Sequence, residues 1–247
     1  MIVLEINVVA ALAMLGIAAY YDLKERSVSD LLWIGFGSIG VLMQVLEGLP
    51  TSYTIASILA TAGIAVLALF LKLYGAADAI AIIVLAVILP IYNDLILPLA
   101  VLLGASFISL IFTCSFNALT NLRILIKDGK IFGEFNEPLQ RRIIAFFLVH
   151  KKGKKERFAF AAEFNDNGYR KFRFFNRADS EFVTDGIYVT SAIPLTVFML
   201  VALIAIIFLP ELWPNLFTEV RGMENGESIC LQAGDESVLH QVSLSGL

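Results

Sequence analysis

The chain has 247 residues, 58% of them hydrophobic and 16% charged, with a formal net charge of −4 and a mean hydropathy of +0.81. Soluble domains carry about a quarter charged residues, so this composition excludes an ordinary soluble domain; several runs of about 20 apolar residues point to an integral membrane protein instead. The runs are continuous rather than alternating, which excludes a barrel of β-strands.

Ile2 to Tyr21 is apolar apart from Glu5 and Asn7, and the nearest basic side chains, Lys24 and Arg26, follow the run. A secretory signal peptide carries its positive charge before the apolar stretch, so this reads as an uncleaved first helix with its N-terminus outside and its far end cytoplasmic. Asp22 closes it. Ser27-Val-Ser-Asp30 then offers cap chemistry for a second helix over Leu31 to Leu46: Ser27 or Ser29 can accept a first-turn N–H, and Asp30 suits the positive end of the helix dipole. Pro50 marks an outer turn, and a third helix runs from Tyr53 to Leu73. Gly75 to Asp78 is expected as a loop before a short fourth helix ending at Leu89. A fifth helix, about Leu95 to Leu122, is long enough to project beyond a bilayer. Gly104 and Ser106 on it are small enough for close packing.

Arg123 to Asp185 is the one polar segment, with fourteen Lys or Arg against nine Asp or Glu. This positive excess places it in the cytoplasm. Within it, Lys127-Asp-Gly-Lys130 reads as a turn and Pro138 to Val149 as a helix with proline in its first turn. Arg157 to Phe164 and Tyr169 to Phe175 read as short strands about Asp166-Asn-Gly168. The basic run His150-Lys-Lys-Gly-Lys-Lys-Glu-Arg157 follows an apolar helix, so it is expected to meet anionic lipid headgroups rather than nucleic acid. Ile187 to Leu209 is the sixth apolar run, with Pro194 bending its entry. After Pro210 the tail has six acids and one basic residue, Arg221, a composition expected to be disordered.

The expected fold is therefore an all-α polytopic membrane protein, six transmembrane helices with a small α+β cytoplasmic insertion between helices five and six. Its parts are a membrane domain at 1–122, a cytoplasmic domain at 123–186, a sixth helix at 187–210 and an acidic outer tail at 211–247. Cys114 and Cys230 show no CxxC spacing, and His150 and His240 are too isolated to suggest a metal.

Carboxylates at the ends of membrane helices are expensive, about 2.5–3.5 kcal/mol at the bilayer centre, and so are functional candidates. Alternating crossings bring Asp22 and Asp78 to the same membrane face. Asp78 is also explained by ordinary helix capping. Asp22 is less so, because an acid in a last helical turn opposes the dipole, although Lys24 and Arg26 can compensate it. Two aspartates at one depth can share a proton and activate water.

Asp22-Leu-Lys-Glu-Arg-Ser-Val-Ser-Asp30 together with Gly75-Ala-Ala-Asp78 resembles the archaeal preflagellin and prepilin peptidases, membrane aspartyl proteases of the GxGD class. The resemblance extends over roughly residues 1–210, including Tyr188-Val-Thr-Ser-Ala-Ile-Pro-Leu195 before the last helix. It implies catalysis by Asp22 and Asp78 without metal or organic cofactor. The implied substrates are archaellin or pilin precursors with short basic leaders, cut at the cytoplasmic face. Gly75, Ala76 and Ala77 would then lie against substrate, and Glu25 and Asp30 could attract the basic leader, the alternative for that pair being solvated loop charges. The departure from the family pattern is Ala77, where the family has its second glycine. Either the loop uses ordinary dihedrals or the site works less well, because alanine adopts positive φ poorly. The competing reading from another class is a proton- or cation-coupled transporter or scaffold using the same two aspartates.

Overall fold

A computed structural model of the chain describes residues 2–48, 50–71, 73–93, 95–135, 137–153, 158–166, 169–174, 188–191 and 193–209. The tail at 211–247, the end of the basic run at 154–157 and the Asn167-Gly168 pair lie outside the described residues.

The chain is mostly helical. Four apolar helices come first, α1 (Ile2–Glu25), α2 (Asp30–Leu46), α3 (Ser52–Phe70) and α4 (Ala76–Ile88), then the long α5 (Leu97–Asp128). A short α6 (Leu139–Leu148) and five strands follow, β1 (His150–Lys151), β2 (Ala159–Ala161), β3 (Glu163–Asp166), β4 (Tyr169–Phe172) and β5 (Tyr188–Ser191), before α7 (Leu195–Phe208). Among the described residues three helices, α1, α3 and α5, are long and apolar enough to cross a membrane. The apolar helices α2, α4 and α7 are shorter, at 17, 13 and 14 residues. The six expected spans therefore divide into three long helices and three short ones.

Local chemistry sets the boundaries. Leu89 precedes Pro90, whose ring disfavours helical dihedrals at the residue before it, and α4 ends there with Leu89 at φ −142°. Helix α5 starts with Pro98 in its first turn, where the missing N–H costs nothing. It runs past the expected Leu122 to Gly129, which adopts φ +68° and closes the helix. Lys127 to Lys130 is thus a helix end rather than a free turn. Two other expectations are corrected. Helix α2 does begin after Ser29, but that side chain makes no cap hydrogen bond. The last helix starts at Leu195 rather than Ile187, because Tyr188-Val-Thr-Ser191, rich in strand-forming types, pairs antiparallel with both β1 and β2.

Beyond Asp78, helix α4 is apolar all round, the pattern of a helix enclosed by others, and it packs against α2 and α3, with lesser contacts to α1 and α5. Small residues allow the approach. On α3 the buried side chains are Ser57, Thr61, Ala65 and Ala68. On α2, a Cβ added to Gly40 would lie 3.1 Å from the backbone nitrogen of Ile88. Close packing of this kind is how membrane helices associate without a hydrophobic difference from lipid. Helix α7 packs against α1 and α5.

The polar insertion has its own core of Phe132, Phe135, Ala145, Val149, Ala162 and Phe172, in which Phe135 and Phe172 stack with centroids 4.0 Å apart. Its strands form a three-stranded sheet in the order β1-β5-β2 and a separate β3–β4 pair. Glu137 is buried beside this core, holding Arg141 at 2.9 Å and accepting from the Phe172 N–H at 3.2 Å. Two asparagines of α5 join the insertion to the helices: Asn117 donates to the Phe147 carbonyl at 2.9 Å, and Asn121 to those of Phe146 at 2.8 Å and Val149 at 2.6 Å. They meet carbonyls at the end of α6 that have no partner in their own helix. His150, in the basic run, is buried and lies edge-on to Phe116.

Candidate active site

Helix α1 ends at Glu25, and Arg26 adopts the left-handed conformation with φ +55° while its N–H still reaches the Asp22 carbonyl at 3.2 Å. This tight ending folds the Arg26 guanidinium back to 3.7 Å from Oδ1 of Asp22. Both side chains are largely enclosed, 17% and 15% exposed, so water screens the pair little. On its other side the guanidinium lies 5.4 Å from the ring centroid of Phe158, the residue just ahead of β2.

The second oxygen of Asp22 has a partner from the far end of the sequence. Thr196, in the first turn of α7, donates to Oδ2 at 2.7 Å. Helices α1 and α7 are thereby joined at Asp22 by a charge-assisted hydrogen bond as well as by packing.

Asp78 is the third residue of α4 and half-buried. Its Oδ2 accepts the Gly75 N–H at 3.3 Å, the carboxylate half of a capping box. The loop ahead of it is tied to α5. The Ser106 hydroxyl donates to the Leu102 carbonyl at 2.7 Å, so at the 2.7 Å contact between Ser106 and Tyr74 it is the phenol that donates. The two aspartates stand on helices that touch, Asp22 in the last turn of α1 and Asp78 in the first turn of α4.

The remaining residues expected at the site fall as follows. Ala77 is the second residue of α4, inside the helix, and ordinary helical dihedrals suit alanine, so the missing motif glycine imposes no strain here. Gly75 has φ −74°, also open to any residue, and an added Cβ would meet only Oδ2 of Asp78, at 3.4 Å. Ala76 is the exposed first residue of α4. Glu25 is exposed and paired with Lys24 at 3.1 Å, and Asp30 is the exposed first residue of α2.

Sequence reasoning missed Thr196 and Tyr74, and gave Arg26 only a general compensating role. Each had a faint signal. Thr196 is the one polar residue in Leu195–Phe208, and Tyr74 abuts the glycine of the motif. Beside Arg26 an apolar crevice of about 220 Å³ opens between α5 and α7, walled by Phe112, Phe116, Pro194 and Phe198. Among the described residues no three metal-ligating side chains gather.

Chemically, two carboxyl groups within each other's field resist carrying two negative charges at once. One proton shared between them leaves an acceptor and a donor, the equipment for general base and general acid work on an amide. Residues 9–114 match the model of the type IV leader peptidase family. No curated protein matches the chain. The matched stretch includes both aspartates and ends within α5, ahead of the insertion and α7.

Proposed function

From the place of residues 9–114 in the type IV leader peptidase family, we propose that the chain is an aspartic endopeptidase of the membrane, with Asp22 and Asp78 as its catalytic pair. The observation that carries the reading is that α1, with Asp22 in its last turn, packs against α4, with Asp78 in its first turn, although 55 residues and two helices intervene in the sequence. One carboxylate takes a proton from water as the oxygen attacks the scissile carbonyl carbon, and the other, protonated, gives its proton to the carbonyl oxygen. The tetrahedral diol that results collapses as the C–N bond breaks, a diol hydroxyl proton returns to one carboxylate and the leaving nitrogen receives a proton from the other carboxyl group.

The substrate is a type IV pilin-like precursor, archaellin or pilin, whose short basic leader stays in the cytoplasm while its apolar helix sits in the membrane. Six crossings, with the N-terminus outside and the basic insertion at 123–186 in the cytoplasm, bring the scissile bond and both aspartates to one interface. The fourteen basic residues of Arg123 to Asp185 support that orientation. They also suit contact with anionic lipid headgroups. The apolar crevice beside Arg26 accommodates a side chain of the precursor next to the cut.

Purified protein in detergent, incubated with a precursor subunit, tests the reading. A discrete loss of mass equal to the leader supports a peptidase. An intact precursor beside intact, folded protein removes the proposal and returns the transporter or scaffold reading.

A further inference from the structure

The hydroxyl of Thr196 is out of place for a structural group. Helix α7 is otherwise wholly apolar, from Leu195 to Phe208. Burying a hydroxyl without a partner is costly, so the position favours valine or alanine unless the oxygen has work. A threonine in a first helical turn ordinarily satisfies itself on its own helix backbone. Here it is 1% exposed and its hydroxyl leaves its own helix for Oδ2 of Asp22, 174 residues away in sequence, at 2.7 Å.

We propose that Thr196 is a positioning residue that fixes the rotation of the Asp22 carboxylate for the peptidase reaction. This inference rests on the function proposed above and names a residue beyond the aspartate pair. A carboxylate on a single Cβ–Cγ bond turns freely in a broad torsional well. In this site Thr196 holds Oδ2 from α7 while Arg26 stands beside Oδ1 from the end of α1. With one oxygen on each of two anchors, the carboxylate plane is set before substrate arrives, and catalytic groups held in advance by their neighbours avoid reorganisation during the reaction. The hydroxyl touches neither substrate nor water in this scheme; it acts through Asp22. In the element order Thr196 follows β5, which sits between β1 and β2 in the sheet of the insertion.

Thr196→Val keeps the side chain's shape and removes the hydroxyl; Thr196→Ser keeps the hydroxyl. With a precursor subunit as substrate, Thr196→Val is expected to lower kcat by about 10–100-fold, within the range that positioned acid–base groups contribute, while KM stays within about twofold and helical circular dichroism is unchanged. Thr196→Ser is expected to recover kcat to within about threefold of the parent protein. A parent-like kcat in Thr196→Val overturns the proposal, as does a loss confined to KM or a serine variant as slow as the valine one. If the parent protein cleaves no precursor, the peptidase reading itself fails. The carbon-13 carboxyl resonance of Asp22 then still decides whether Thr196 holds that group: displacement in Thr196→Val with restoration in Thr196→Ser supports the contact, and no displacement removes it.

Discussion

Asp22 and Thr196 stand at opposite ends of the described fold's sequence and 2.7 Å apart in space, so the first and last apolar helices meet through one carboxylate. Any change at Asp22 therefore has both a chemical and a mechanical consequence. Asparagine separates them, because its amide oxygen still accepts from Thr196 while it can no longer take a proton.

Asp22→Asn is accordingly expected to keep the α1–α7 junction and to lower precursor cleavage by about 10³-fold or more, as loss of an essential acid or base does. Asp78→Asn, whose amide oxygen can still accept from the Gly75 N–H, is expected to do the same. Cleavage rates with unchanged helical circular dichroism check both.

Arg26 lies against Asp22 at 3.7 Å and over the ring of Phe158. Arg26→Gln removes the charge beside the carboxylate and is expected to slow cleavage by about tenfold without abolishing it. Arg26→Lys restores the charge but not the planar stacking on Phe158, and its rate is expected to fall between the two. Equal rates for the parent protein and the glutamine variant would falsify a role for this pair.

Ala77 occupies a helical position in α4. Ala77→Gly, which recreates the family's motif glycine, is expected to leave the cleavage rate within about twofold and to cost at most about 1 kcal/mol of stability, the usual penalty of glycine within a helix. A large rise in activity on this change contradicts the helical placement.

Gly40 holds α2 against α4, and a methyl group there meets Ile88 at 2.9 Å from its side chain and 3.1 Å from its backbone nitrogen. Backbone cannot rotate away, so the helices must part. Gly40→Ala is expected to destabilise the protein by roughly 1–3 kcal/mol, the usual range for overpacking. Unfolding in mixed detergent measures it, with Gly35→Ala, where nothing lies within 4 Å of the added carbon, as the silent control.

Asn121 donates to two carbonyls at the end of α6 and after it. Asn121→Leu strands those oxygens and is expected to cost about 1–3 kcal/mol for each that stays buried and unbonded. Thermal unfolding followed in the insertion, for instance through protection of its backbone amides, reads this loss.

Much of this arrangement was legible in the chain. Asp22 and Asp78 were visible because a carboxylate interrupting an apolar run is conspicuous, and helix positions followed from the runs themselves. Three features were hidden for physical reasons. The start of α7 was placed too early because Tyr188 to Ser191 looks continuous with the apolar helix; only pairing with β1 and β2, distant in sequence, makes it a strand. Arg26 reads as a loop charge until its positive φ turns it back onto Asp22, and no local rule announces that conformation in an arginine. Thr196 is a common residue for a first turn, and its bond to Asp22 is a tertiary fact. Ala77 went the other way: a departure from the motif that looked consequential in sequence falls at a helical position where alanine is at ease.

The central claim is that α1 and α4 bring Asp22 and Asp78 together at one face of the membrane. With Cys114 and Cys230 replaced by serine, Asp22→Cys combined with Asp78→Cys in native membranes places a thiol at each position for a short dithiol cross-linker. An intramolecular link is expected, with labelling of both thiols by an impermeant maleimide from the same side. No link, with the two thiols labelled from opposite sides, contradicts it.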